Sequence, residues 1–445
     1  MQRIFVIGAG KSSTVLIRYL LDHAAANDWF VTVGDMSAEL ANQKVAGHPC
    51  GEGVTFNVLD DEQRVSSIRQ SDLVISLLPA NMHGPVAADC VHYGRNFISA
   101  SYVSPEMSAL HEAAVDRGVL LLNECGLDPG IDHMSAMRMI HDAQARGGVI
   151  HSFESYAGGL IAPESDNNPW KYKFTWNPRN IVLSGQGVAR FYWKDQLKLI
   201  PYNKLFQRYD LLEVPGYGTF EGYPNRDSTK YKSLYGLDGT HTLVRGTLRK
   251  KGYCDAWNAL VALGITDESY EVDLPQGTTW AQFIDNYLPF DPELSLKEKY
   301  IRYFQLEQLP EVVEKLEWLG LFSDRKLDRF QGSPARIFQD LLEDKWKLDT
   351  GDKDMIVMLH KMEVEMDQKM WEVQMSLAVC GDDEMITAMA KTVGLPLAIT
   401  AKNVLAGKIQ RTGVVIPVTP DIYMPILHEL EQDFGISFIH EGKEI

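Results

Sequence analysis

An apolar run that feeds straight into two glycines, Ile4-Phe5-Val6-Ile7-Gly8-Ala9-Gly10-Lys11-Ser12-Ser13, opens the chain and constrains its fold more than any other segment. The apolar residues read as a buried strand, and Val15, Leu16, Tyr19 and Leu20 then fall on one helical face, so the glycines lie in a strand-to-helix turn. Gly8 permits a tight turn and Gly10 lets backbone approach a ligand. The free N–H groups and dipole of the following helix suit a pyrophosphate. Ser13 stands where such turns usually carry a third glycine, and it is still small enough for close packing. Gly10-Lys11-Ser12 does not extend to an ATPase phosphate loop, because Phe5 occupies the position of that motif's first glycine. The segment therefore predicts a dinucleotide-binding βαβ unit with contacts from Gly8, Ala9, Gly10, Lys11 and Ser12.

The next hundred residues repeat this alternation. Strands are expected at Arg3–Ile7, Phe30–Val33, Val54–Val58, Leu73–Leu77, Asn96–Ile98 and Val119–Leu122, with amphipathic stretches between them. Short crossovers between such strands give an α/β, Rossmann, doubly wound parallel sheet. Asp35 follows the second strand, where a carboxylate accepts hydrogen bonds from ribose hydroxyls and repels a 2′-phosphate. With no arginine between Val31 and Ala41, the local charge predicts NAD, with NADP as the alternative cofactor. The competing role for Asp35 is a helix N-cap.

After Gly126 the texture changes. A helix is expected over Ile131–Arg146, followed by an aromatic-rich region to about Lys251 with strands and long loops. Residues Thr278–Arg329 read as helices, Met355–His360 and Trp371–Val379 as strands, Met385–Ala406 as a final helix and Val414–Val418 as a short apolar run. This is the pattern of an α+β substrate domain with a helical insert. At 445 residues and 45% hydrophobic content the chain has material for two or three cores. Its net charge of −17 opposes attraction to nucleic acid or anionic membranes. Five cysteines without a CxxC pair argue against a disulfide framework and a metal site, and a cytoplasmic location is expected from the strand that begins the chain.

Further segments carry a resemblance. Leu77-Leu78-Pro79, Ser99-Ala100-Ser101-Tyr102, Gly126-Leu127-Asp128-Pro129-Gly130-Ile131-Asp132-His133 and Tyr223-Pro224-Asn225-Arg226-Asp227-Ser228 closely resemble saccharopine dehydrogenases of the glutamate-forming type. Asn168-Pro169, Tyr172-Lys173-Phe174, Arg245-Gly246-Thr247-Leu248-Arg249 and Ala390-Lys391-Thr392-Val393-Gly394-Leu395-Pro396 are similar to the same family, so the likeness covers nearly the whole chain. It extends to the dehydrogenase half of the bifunctional lysine-degrading enzyme of animals and plants.

The resemblance implies reversible oxidation of saccharopine to L-glutamate and L-2-aminoadipate 6-semialdehyde in lysine metabolism. The cofactor preference leans toward degradation. It also implies a homodimer, and a C-terminal segment that returns to the nucleotide domain. The expected organisation is 1–125 with 385–445 for the nucleotide, 126–277 with 330–384 for the substrate, and 278–329 as helical insert. By the same resemblance, Leu77, Pro79 and Ala100 line the cofactor. Ser101, Tyr102, Asp128, Arg226, Thr247, Leu248 and Arg249 contact saccharopine.

The residue chemistry fits those roles. A substrate with three carboxylates and two amines calls for planar cationic forks, which Arg226 and Arg249 supply, and for a carboxylate, which Asp128 supplies. Asp128 is also the one residue assigned here to catalysis, although Asp before Pro is an N-cap signal as well. Ser101 and Tyr102 offer hydroxyls, with helix capping near Pro105 as the plainer role. Arg245 adds charge or pairs internally. His133 and His241 are both candidate bases. Two positions depart from the family pattern: Ala157 stands where relatives often carry a cysteine, and Lys250 where they often carry a tyrosine. The readings to be separated are saccharopine dehydrogenase, a lysine or polyamine-forming dehydrogenase of the same fold, and a non-catalytic dinucleotide sensor.

Overall fold

The structure, a computed structural model, describes residues 1–445. The N-terminal strands are β1 (Gln2–Ile7), β2 (Trp29–Asp35), β3 (Gly51–Thr55), β4 (Leu73–Ser76), β5 (Asn96–Ser99) and β6 (Leu120–Leu122). Next come β7 (Val149–Ile161), β8 (Val188–Trp193), β9 (Gln196–Pro201), β10 (Asp210–Val214), β11 (Gly218–Pro224) and β12 (Thr242–Lys250). The chain ends with β13 (Val272–Asp273), β14 (Gln331–Gly332), β15 (Asp354–Met366), β16 (Lys369–Cys380), β17 (Gly413–Val415) and β18 (Ile439–Glu444). Seven helices fall within the first 145 residues: α1 (Ser13–Asn27), α2 (Ala38–Val45), α3 (Asp61–Arg69), α4 (His83–Tyr93), α5 (Pro105–Ser108), α6 (His111–Asp116) and α7 (Ile131–Ala145).

The chain divides into two compact units, Met1–Val149 with Val379–Ile439, and Ile150–Ala378 with His440–Ile445. In the first, a seven-stranded sheet has the order β17-β6-β5-β4-β1-β2-β3. Every neighbouring pair of strands in it is parallel. Helices cover parallel sheets on both faces, which is why Ile4–Ile7 and Leu73–Ser76 are continuously buried rather than alternating. The order reverses direction between β1 and β4, so the crevice at their carboxyl ends is the ligand position of such sheets. Gly8 and Leu77 lie at that crevice.

The six expected strands are present, and β17 adds a seventh. The third lies at Gly51–Thr55 rather than Val54–Val58. Phe56 and Val58 are buried in the turn after it, which made the apolar run look later than the strand is. A Cβ on Gly53 would come within 2.5 Å of Asn42 N, so the glycines seat α2 against the strand. The helix Ala388–Leu405 packs on α1 through Gly394, where a Cβ would sit 2.7 Å from Leu16 N.

The second unit is built on a nine-stranded sheet with the path β10-β11-β12-β7-β15-β16-β18, while β8 joins β12 and β9. Its core is aromatic: Trp170, Tyr172, Phe174, Tyr253, Trp257 and Trp346 are buried in one cluster. Trp170 and Trp346 meet edge to face at 5.3 Å, and Tyr253 stacks on Trp257 at 5.7 Å. Each such ring pair contributes about 0.5–1.5 kcal/mol beyond its buried area.

Two domain boundaries are corrected. The helix expected at the start of the substrate domain, now α7, belongs to the nucleotide unit, where it packs against the helix Pro420–Phe434 through the Arg138–Glu431 ion pair. Residues 278–329, the expected helical insert, fall within the second unit. Trp280, Phe283, Val312 and Leu316 from its helices are buried in the same cluster as Trp257. The last strand, β18, belongs to the second unit, held beside β16 by Lys369–Glu444 and Lys443–Glu372.

Candidate active site

Gly8 takes φ +107, a left-handed conformation that a side chain would strain, and its Cβ would meet Leu77 at 3.4 Å. Gly10 differs. A Cβ there would meet nothing within 4 Å, so no internal packing requires glycine and the space over the turn is open to a ligand. Ser13, in the usual third-glycine position, donates its hydroxyl to Gly10 O at 2.8 Å and is itself buried. The serine ties down the turn and replaces the glycine at no cost in packing. Ala9 is buried, whereas Lys11 is exposed and Ser12 half-buried at the helix start.

Asp35 is half-buried at the end of β2. Its Oδ2 accepts Ala9 N–H at 2.8 Å and its Oδ1 accepts Ser37 N–H at 3.0 Å. The N-cap of α2 is Ser37, whose side chain accepts from Leu40 N, so Asp35 is not the cap. It joins the glycine turn to β2. Lys44 reaches back from α2 to donate to Thr14 Oγ1 at 2.5 Å, and burial lowers its pKa. These residues fit a dinucleotide: an open glycine turn, N–H groups at a helix start and two lysines, Lys11 just before α1 and Lys44 from the last turn of α2.

At the carboxyl ends of β4, β5 and β6 a second group assembles. Leu77 is half-buried and donates its N–H to Ile7 O at 2.9 Å, Pro79 is exposed, and Ala100 lies against Gly126, whose Cβ would be 2.9 Å from Ala100 Cβ. Tyr102 Oη donates to Asp128 Oδ1 at 2.8 Å, so these two expected contacts are brought together. Neither residue caps a helix. The cap near Pro105 is Ser104, and α7 begins after Gly130, not at Asp128. Gly130 has φ +152 and leaves no room for a Cβ, which would fall 2.0 Å from Gly126 O.

Glu124 was not singled out by the sequence. At φ +59 and buried, it accepts Val103 N–H at 3.0 Å through Oε1 and lies 2.7 Å from His133 Nε2 through Oε2. His133 is wholly buried, with Asp132 Oδ2 a further 3.8 Å from its Nδ1. The ring therefore anchors the Ser101–Val103 loop through Glu124. His241 is exposed and paired with Asp195 at 2.8 Å. His83, at the first turn of α4, is a second residue missed. Its Nδ1 lies 2.9 Å from Ser76 Oγ and its Nε2 2.7 Å from Ser101 Oγ. Its sequence signal is slight: it follows Leu77-Leu78-Pro79 and opens a helix.

In the second unit, strand alternation puts Arg245, Thr247 and Arg249 on one face of β12. Arg245 is buried with its guanidinium 4.2 Å from the centre of Tyr231. Thr247 Oγ1 accepts from Asn225 Nδ2 at 2.9 Å and pairs in register with Ala157. Arg249 is only 5% exposed, lies 5.3 Å from the centres of both Tyr172 and Tyr253, and has no carboxylate partner. Its Nη1 donates to Leu248 O and its Nε has no hydrogen-bond acceptor. The Leu248 side chain is fully buried, which leaves only backbone for a ligand. Arg226 is exposed at φ +47. Burial pushes the Tyr172 hydroxyl up to about 12, keeping it a neutral wall of the Arg249 cage.

Comparison with known proteins then covers both units. Residues 4–122 match the family model described as the saccharopine dehydrogenase NADP binding domain, and residues 126–436 match the saccharopine dehydrogenase C-terminal domain. The chain is 33% identical to the NADP(+), L-glutamate-forming saccharopine dehydrogenase of Pyricularia oryzae, over 98% of this chain and 97% of that protein. It is 35% identical to the mitochondrial alpha-aminoadipic semialdehyde synthase of Rattus norvegicus over 98% of this chain, and spans about half the length of that relative (47%). The apo saccharopine dehydrogenase (L-Glu forming) of Saccharomyces cerevisiae shares the fold at a TM-score of 0.90, with 30% identity and full coverage of both chains. No helix is long and apolar enough to cross a membrane.

Proposed function

Because the chain belongs to the saccharopine dehydrogenase family, we propose that it oxidises saccharopine to L-glutamate and L-2-aminoadipate 6-semialdehyde. The observation that carries this reading is the match to stand-alone fungal enzymes over both units and nearly every residue. A homospermidine synthase from Legionella pneumophila shares the fold at a TM-score of 0.54 but only 11% identity, so a polyamine-forming activity has fold alone in its favour.

The nicotinamide cofactor supplies hydride acceptance when bound, and Gly8–Ser12, Leu77, Pro79 and Ala100 are the residues we assign to holding it. The charge argument from Asp35 favours NAD, yet each Asp35 oxygen already accepts a backbone N–H. The fungal relatives are named for NADP(+), and Lys11 and Lys44 offer positive charge to a 2′-phosphate. We therefore assign NADP, with a higher kcat/KM than NAD as the expected result and an NAD preference as the contrary one.

For substrate, the proposed contacts are Ser101, Tyr102, Asp128, Arg226, Thr247, Leu248 and Arg249. Arginine forks hold carboxylates, while Asp128, oriented by Tyr102, holds the reacting amine and takes its proton as the C–N bond is oxidised to an imine. Water then adds to the imine carbon and the C–N bond breaks, which releases glutamate and the semialdehyde. Ala157 lacks an ionisable group, so no proton step runs through that position. The test is nucleotide reduction with saccharopine, lysine or a diamine as substrate. Turnover of saccharopine alone supports the reading, and turnover of lysine or a diamine instead overturns it.

A further inference from the structure

β4 and β5 end side by side, with Ser76 and Ser99 in register. One residue beyond the pair, the chain turns into the Ser101–Val103 loop. His83 fills the gap between Ser76 and Ser101, 4% exposed, its ring edge-on to Phe97 at 6.1 Å. Ser101 itself is partly exposed, and its N–H donates to Ser99 Oγ, whose hydroxyl in turn donates to Asn123 Oδ1. A histidine bonded on both nitrogens is ordinarily only a satisfied core residue. Here one of its two partners is a hydroxyl at the carboxyl edge of the sheet, the place where open α/β folds bind ligands.

We infer that His83 is a positioning residue that holds the Ser101 hydroxyl as a hydrogen-bond donor toward a substrate carboxylate. This rests on the saccharopine reading above. The number of protons available sets the direction of each bond. A carboxylate only accepts, so Ser101 has to spend its single hydrogen on it. A neutral imidazole carries one N–H and one lone pair. If the lone pair were on Nε2, Ser101 would donate to the ring and nothing would remain for the ligand. With Nε2–H donating to Ser101 Oγ, the lone pair lies on Nδ1, and Ser76 Oγ–H gives its hydrogen to it. The relay then runs in one direction, Ser76 to His83 to Ser101 to carboxylate. Burial lowers the His83 pKa to about 4, so the ring is neutral near pH 7.

Turnover of saccharopine by the unsubstituted protein is measured first, and its absence strikes the functional reading rather than this one. The tautomer is then read by long-range proton–nitrogen NMR on protein labelled with nitrogen-15 histidine, with the His83 signals assigned by their loss in His83→Gln. A protonated Nε2 is expected, in the protein alone and with saccharopine, and a protonated Nδ1 overturns the proposal. In kinetics, glutamine places an amide N–H near the Nε2 position, whereas asparagine reaches only toward Ser76. His83→Asn should raise the KM for saccharopine about tenfold with kcat and the nucleotide KM nearly unchanged, while His83→Gln stays within about threefold of the parent. In a Ser101→Ala background His83→Asn should add nothing further. Additive losses, or equal effects of the two amides, would show a purely structural role.

Discussion

Arg249 is a guanidinium closed in by Tyr172 and Tyr253 with no carboxylate beside it. A buried charge of this kind costs stability unless an anion joins it. Arg249→Met keeps an unbranched apolar stem and removes the charge. We predict an unchanged or raised thermal midpoint together with a KM for saccharopine increased ten- to a hundredfold, about 1.5–3 kcal/mol for a charged hydrogen bond. Loss of fold with no change in KM would assign the arginine to the core alone. Asp128→Ala, by contrast, leaves packing nearly intact. It should raise that KM at least about tenfold, roughly 1.4 kcal/mol, without lowering the thermal midpoint. His83 makes stability depend on pH. Its folded pKa, depressed by burial to about 4, lies below the unfolded value, so the unfolded chain binds the extra proton between about pH 4 and 6.5. Stability is therefore fully present above that window and falls as pH drops through it, by up to about 3 kcal/mol. His83→Gln should lose less of its thermal midpoint than the parent between pH 7 and pH 5. Equal losses would refute the shift.

Individual site residues were legible where local chemistry announces them. Gly8, Gly10, Asp128 and the arginines sit in motifs that can be read along the chain. Glu124 and His83 could not be read that way, because their partners, His133 and Val103 for one and Ser76 and Ser101 for the other, meet only when neighbouring strands end together.

Among elements, the glycine turn and α1 were readable because a continuous apolar strand and a helical stripe adjoin a φ that glycine alone takes easily. The third strand was misplaced because burial of Phe56 and Val58 mimics a strand pattern just beyond Thr55. The helix Ala388–Leu405 hides a tighter constraint, since Gly394 brings it against the backbone of α1 at Leu16. Backbone cannot yield as a side chain can. Gly394→Val should therefore destabilise the nucleotide unit by about 1–3 kcal/mol. Limited proteolysis should show α1 and Ala388–Leu405 cut sooner than in the parent, and an unchanged cleavage pattern would contradict the close approach.

For the whole molecule, composition and alternation gave an α/β nucleotide unit and an α+β second unit, and both are present. The boundaries were harder to read. A helix such as α7 carries no mark of which core it joins, and the helices over 278–329 look self-contained until their apolar faces are seen in the aromatic cluster around Trp257. What unifies the molecule is its correspondence, unit by unit, with saccharopine dehydrogenases. The most direct test is the initial rate of nucleotide reduction by the purified protein given saccharopine and NADP, with glutamate quantified as product. The expected result is one glutamate formed per nucleotide reduced. Nucleotide binding without turnover, or reduction with lysine in place of saccharopine, would contradict it.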